Sequence, residues 1–283
     1  MNIKKILAGV DLEKDSERVL AYASFFADVF SASLSLLYVI DYLVTPPAYL
    51  TPYIEKEKED AMEKFAALRG KMTKAGFKAE SEVVVGRLRE SFETAAKKRS
   101  ADMLVLGFMT HALRRSSSEK LIKGLQAQVL VVKGEKADRA SIGSVKIGKV
   151  LCPVDFSETS RNALNAAREL ADAFSAKLNV IYVFPDYLIR KMRVMEDRDR
   201  AAKTLRERAE NRLDGFLRGF SLKEAGRVEE GEPGSEIVSF AEREDVDLIV
   251  MGARGLGFIQ GMLIGSVTDA VLKSSPCPVF VVH

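Results

Sequence analysis

The chain has 283 residues, 47% of them hydrophobic and 29% charged, and a net charge of +3. That length and balance describe a globular protein of one large or two ordinary domains, and so small a net charge gives no support for a nucleic-acid binder. Cys152 and Cys277 have no metal-site or redox spacing, which fits a reducing compartment. The apolar run at the start is broken by Asp11, too early for a signal-peptide core. No stretch of about 18 apolar residues follows, so no membrane span is expected and the expected location is cytoplasmic.

The chain repeats itself. Lys5–Asp11 (KILAGVD) meets Lys149–Asp155 (KVLCPVD) at an offset of 144, and Leu37–Val39 meets Ile181–Val183 at the same offset. Ala101–Gly107 meets Val246–Gly252 at 145, and Val129–Val132 meets Val279–Val282 at 150. The second half therefore carries five extra residues (150 against 145) before its last strand, most simply placed in its glycine-rich loop. Polar Gly134–Val145 reads as a linker. The expected organisation is a domain over 1–134, a linker over 135–146 and a domain over 147–283.

In chain order, Ile6–Val10 and Val150–Val154 are continuous apolar runs, as expected of strands buried on both faces. An Asp follows each, and Ser157 is placed to cap the next helix. The apolar positions Val19, Leu20, Ala23, Phe26, Ala27 and Phe30, with their twins from Ala163 to Phe174, line one helix face. Strands are expected at Leu34–Val39 and Leu178–Val183, then long charged helices at Ile54–Lys74 and Arg193–Leu217. Pro46–Pro47, amid Tyr42, Tyr49 and Tyr53, reads as a solvated loop rather than a lid. Arg190–Arg193 reads as a solvated helix face.

Strands follow at Glu80–Val85 and, placed mainly by its match, Gly226–Glu230. Helices at Glu90–Lys98 and Ser235–Arg243 lead into strands Met103–Leu106 and Leu248–Met251, the latter within an apolar run, Val246–Val250, interrupted by Asp247. A loop, a helix and a valine-rich strand complete each half. The expected fold is α/β: two repeated doubly wound domains, each a five-stranded parallel sheet flanked by helices, with ligands at the carboxyl ends of the strands.

Met251–Lys273 carries the strongest functional signal. It runs strand, glycine-rich loop, helix start, an order suited to anions because helix-start N–H groups point at negative charge. It lacks the Gly-Lys-Ser/Thr of a Walker A loop, and Gln260 breaks a dinucleotide fingerprint. Its spacing is Gly252-x2-Gly255-x9-Gly265-Ser266, with Gly257 and Gly261 as filler. Ser266 and Asp269 read as a capping pair. Arg254 stands where a guanidinium can add charge-assisted contacts to phosphates.

This spacing resembles the ATP-binding signature of universal stress proteins. So do Asp247–Gly255 (DLIVMGARG), Gly265–Leu272 (GSVTDAVL), Cys277-Pro278-Val279, Pro153-Val154-Asp155 and Gly231-Glu232-Pro233. The resemblance covers nearly the whole chain twice and implies a tandem universal stress protein of adenine nucleotide alpha hydrolase-like, Rossmann-like fold. It implies that Pro153, Val154 and Asp155 border ribose and adenine, and that Val183 meets adenine through its backbone. Met251, Gly252 and Gly255 would line base and phosphates; Gly265, Ser266, Val267 and Thr268 would cradle the phosphates. Asp155 fits two roles, holding a Mg²⁺ shared with the phosphates or holding the ribose.

In the first half Gly9, Leu88, Thr110 and Arg115 stand where the second has Pro153, Pro233, Gly255 and Gly265. That half is expected not to bind ATP in the family manner, and Arg114–Ser118 reads as a solvated basic loop, with an anion site as the alternative. His111 and His283 show no triad or metal arrangement and read as exposed and inert.

The implied function is ATP binding by the C-terminal domain in stress response or signalling, with an unidentified partner reading occupancy and no catalytic residue assigned. An adenylate-transferring or slowly ATP-hydrolysing enzyme of the same fold is one alternative; a structural dimerisation protein with a vestigial site is another. Family members pair through their last strands, which implies an intrachain pseudo-dimer of Val129–Val132 with Val279–Val282. A further homodimer is the base-rate expectation.

Overall fold

The computed structural model describes residues 1–12, 16–41, 51–108, 127–185, 195–220, 222, 226–255 and 264–283, with only the backbone at 195–199. The expectations on Tyr42, Pro46, Pro47, Tyr49, Thr110, His111, Arg114–Ser118, Arg190–Arg193, Gly257, Gln260 and Gly261 lie outside the described residues. Two compact units emerge, Asn2–Lys146 and Ile147–His283.

The first unit runs β1 (Lys5–Gly9), α1 (Ser16–Phe30), β2 (Ser33–Asp41), α2 (Thr51–Lys74), β3 (Ala79–Gly86), α3 (Leu88–Arg99), β4 (Met103–Gly107), β5 (Gln128–Val132) and a single helical turn, α4 (Glu135–Asp138). Its strands lie in the order β3-β2-β1-β4-β5, every pair parallel. The second runs β6 (Lys149–Pro153), α5 (Glu158–Phe174), β7 (Lys177–Phe184), α6 (Met195–Leu217), β8 (Arg227–Glu230), α7 (Pro233–Arg243), β9 (Leu248–Gly252), α8 (Ser266–Ser274) and β10 (Val279–Val282). Its order, β8-β7-β6-β9-β10, repeats the first, again all parallel. Each sheet is therefore doubly wound, and winding reverses between β1 and β4 and between β6 and β9. Most observed bounds differ from those expected by one to three residues.

The sequence explains the layering. Central strands are buried on both faces, and Leu7, Ala8, Leu104, Val105, Leu151 and Ile249 are fully enclosed. Each fully buried Leu, Ile or Val contributes about 1.5–3 kcal/mol. The outer strand β3 has no buried residue, in keeping with its alternating Glu80 and Glu82. On α5 the face Ala163, Leu164, Ala167, Leu170 and Ala171 is buried, as its spacing requires. The long charged helix α2 buries only Ala61, Phe65 and Met72. None of the described helices is long and apolar enough to cross a membrane.

Three details add to the sequence reading. The segment read as a linker contains α4, with Ala137 fully buried and Asp138 paired to Arg18. Gly226 lies just outside β8, packed so closely that a Cβ there would stand 2.6 Å from Leu213 Cδ2. Asp247, the break in the apolar run, precedes β9, which starts at Leu248 as expected. Its carboxylate accepts the N–H groups of Gly148 (2.8 Å) and Lys149 (2.9 Å). Asp102 does the same for Lys4 (2.8 Å) and Lys5 (2.9 Å). Each Asp thus staples the start of the unit's first strand to the start of its fourth.

Candidate functional site

A cavity of about 270 Å³ opens where β6 and β9 end and α8 begins, close to the lower end of the roughly 300–1,000 Å³ usual for small-molecule sites. This is the switch point of the second sheet, where doubly wound folds take ligands.

The β6 side is built by a sharp turn. Val154 N donates to Ile181 O at 2.8 Å, extending the ladder one residue beyond Pro153. Phe156 then adopts φ +69, a left-handed conformation costing a non-glycine residue about 1–2 kcal/mol. Leu12 takes φ +60 at the matching place. The turn lets Asp155 Oδ1 accept from Ser157 N (3.0 Å) and Ser157 Oγ (2.5 Å). Ser157 Oγ in turn accepts from Ser160 N at 3.1 Å, so Ser157 caps α5 as expected.

Across from it lies the turn Gly252–Gly255. A Cβ on Gly255 would sit 2.3 Å from Asp155 Oδ2, so only glycine leaves that carboxylate where it is. On the return, Gly265 N donates to Ala253 O (2.8 Å), and the buried Thr268 Oγ1 donates to Gly252 O (2.8 Å). Expectation and structure part at the helix start. Gly265 is the N-cap residue, Ser266 is the first helical residue, and α8 has no side-chain cap. Asp269 pairs with Lys273 at 2.6 Å. The first-turn N–H groups of Ser266, Val267 and Thr268, which a helix leaves without internal acceptors, therefore belong to residues that line the cavity. Gly265 has φ −73, and a Cβ there would meet its neighbours at 3.6 Å or more. Its lack of a side chain keeps the space before those N–H groups open; backbone strain does not require it.

All twelve residues singled out from the sequence line this cavity. Pro153, Val154, Val183 and Met251 give it apolar walls; Asp155 and Arg254 give it charge; Gly252, Gly255, Gly265, Ser266, Val267 and Thr268 give it backbone. Sequence reasoning did not assign three other lining residues, Ser160, Pro233 and Ile237. Pro233 had a signal in the Gly231-Glu232-Pro233 motif. Ile237, apolar on a helix face, looked like any core residue.

Pro233 opens α7, whose cap is Glu232, accepting Ser235 N at 2.8 Å and Ser235 Oγ at 2.9 Å. Those bonds, led by the one from Ser235 N, hold the Glu232 carboxyl below the usual glutamate range. Gly231 before it has φ +149, and a Cβ there would lie 2.6 Å from Glu236 Cγ.

His283 is exposed, as expected, and partial burial first and the Arg254 charge second lower its pKa. Cys152 and Cys277 are buried, and burial pushes the Cys152 thiol up, away from reactivity. Among the described residues no three His, Cys, Asp or Glu side chains gather to hold a metal, and Asp155 is the one carboxylate lining the cavity.

The fold is a doubly wound α/β unit built twice in one chain, and the second copy carries a pocket at its switch point. The chain belongs to the universal stress protein family, whose profile matches residues 2–133 and again 146–283. A universal stress protein of Mycolicibacterium smegmatis is 27% identical over 98% of this chain and 96% of its own length. One from Methanocaldococcus jannaschii is 32% identical over 49% of this chain and 96% of its own. The crystal structure of a universal stress protein from Archaeoglobus fulgidus superimposes with a TM-score of 0.74 at 23% identity. It covers 99% of this chain and 96% of its own, a likeness of fold.

Proposed function

We propose that the second unit binds an adenine nucleotide, ATP foremost, and that the protein acts in stress response or signalling through the occupancy of that site. One observation carries the reading: apolar walls and a helix-start N–H cluster share one cavity. Pro153, Val154, Val183, Ile237 and Met251 suit the faces of a base. The N–H groups of Ser266–Thr268, with Arg254 beside them, suit phosphate oxygens. Asp155 is placed for the ribose or for a Mg²⁺ carried in on the phosphates.

Binding is favoured over turnover. The two hydrogen bonds from Ser157 to Asp155 Oδ1 fix that carboxylate in place, and no histidine or cysteine lines the cavity among the described residues. A partner that reads the nucleotide-filled state then carries the signal. The test is mass spectrometry of small molecules released from denatured protein, followed by calorimetry with ATP on the emptied protein. The expected results are a co-purified adenine nucleotide and one site per chain. Absence of both overturns the reading, and rapid release of ADP or pyrophosphate would replace it with an enzymatic one.

A further inference from the structure

The turn Gly252–Gly255 has each of its first three carbonyls held by a protein donor. Gly252 O accepts from Thr268 Oγ1 (2.8 Å) and Ala253 O from Gly265 N (2.8 Å), both donors within the returning segment. Arg254 O accepts from Thr159 Oγ1 at 2.6 Å, and Thr159 comes from the first turn of α5, 95 residues earlier. Thr159 also packs on the turn, since a Cβ on Gly252 would lie 3.2 Å from Thr159 Cβ.

A trans peptide unit is planar, so its C=O and the following N–H point in opposite directions. Fixing Arg254 O on Thr159 therefore fixes the direction of the Gly255 N–H. Gly255 lines the cavity, and its nitrogen stands 3.6 Å from where a Gly265 Cβ would be, at the edge of the α8 N–H cluster. Glycine by itself holds no such orientation, because it adopts left-handed and right-handed backbone about equally well.

We propose that Thr159 is a positioning residue for the anionic part of the ligand. By anchoring the Arg254 carbonyl it turns that dipole's negative end onto α5 and adds the Gly255 N–H to those of Ser266–Thr268. Ser157 Oγ lies 3.0 Å from Thr159 Oγ1. The Ser157 proton goes to Asp155 and the Thr159 proton to Arg254 O, so each hydroxyl serves one side of the cavity. At the matching place the first half has Asp15, which when ionised has no proton to donate.

The proposal rests on the nucleotide reading above. Its test is calorimetry on full-length Thr159→Val, which swaps hydroxyl for methyl, and on Thr159→Ser, with ATP and with adenosine. Thr159→Val is expected to weaken ATP about tenfold or more while leaving adenosine within about twofold, and Thr159→Ser to restore ATP binding. Unliganded melting temperatures of all three proteins should agree within about 2 °C. ATP affinity unchanged in Thr159→Val, equal losses for ATP and adenosine, or failure of serine to rescue each overturns the positioning role. A wild-type protein that binds neither ligand overturns the nucleotide reading itself.

Discussion

The two units share a frame and differ in what they do with one corner of it. Both staple their first strand with an Asp from the start of the fourth (Asp102, Asp247), and both turn left-handed after the Asp that follows that strand (Leu12, Phe156). At the carboxyl ends they diverge. In the first unit the Phe92 ring lies on Gly9: a Cβ at residue 9 would stand 2.5 Å from Phe92 Cζ and 2.8 Å from Leu106 Cδ2. In the second, Pro153 and Ile237 occupy those places and border the cavity. The α3 cap Arg87 makes no side-chain cap bond, whereas Glu232 caps α7. Among the described residues, a ring packed on a glycine in the first unit thus stands where a proline and an isoleucine border a cavity in the second, while the staples at the opposite ends are the same.

That contrast can be broken in order of expected effect. Phe92→Ala removes a ring that is 3% exposed. Stability of the first unit should fall by about 3–5 kcal/mol in denaturant unfolding, with ATP affinity of the second unit unchanged. Ile237→Phe carries the filling ring into the second unit, where Pro153 leaves it less room than Gly9 leaves Phe92. ATP affinity by calorimetry should drop about a hundredfold, with overpacking lowering stability by about 1–3 kcal/mol.

Gly265→Val and Ser266→Glu act on the cradle alone. The Cβ of a residue at 265 meets only ordinary contacts, so melting should hardly change. Branching methyls or a carboxylate in front of the first-turn N–H groups should weaken ATP about tenfold or more. Glu232→Ala, losing the α7 cap, should lower stability by about 1 kcal/mol at neutral pH. Because the folded-state pKa of Glu232 is depressed, that contribution is complete above the ordinary glutamate range and is lost as pH falls through the folded value. Melts of wild type and Glu232→Ala should therefore converge in acid. A gap that persists there would assign the effect to packing.

Much of the fold was legible because the chain states it twice: β8 has little strand character, and its match to the first half placed it. The cavity was legible where a residue acts through its own backbone, as with Gly252, Gly255 and Gly265. It was not legible where a residue acts through shape or at a distance. Ile237 differs from a core residue only in what it leaves empty. Thr159 reaches a carbonyl 95 positions away and carries no local signature. Asp247 read only as a break in an apolar run because its partners, Gly148 and Lys149, lie far back in the chain. Ser266 read as a cap because a serine before an apolar segment usually is one; here an uncapped helix start faces the cavity.

The two staples also set a timetable for synthesis. Asp102 lies 98 residues after Lys4, and Asp247 lies 98 residues after Lys149. At ribosomal speeds of about 5–20 residues per second, the central strand of each unit waits about 5–20 s for the carboxylate that fixes its start. The first unit's staple is made before any of β9 exists, so the nascent chain can complete one sheet before it is asked to register the next.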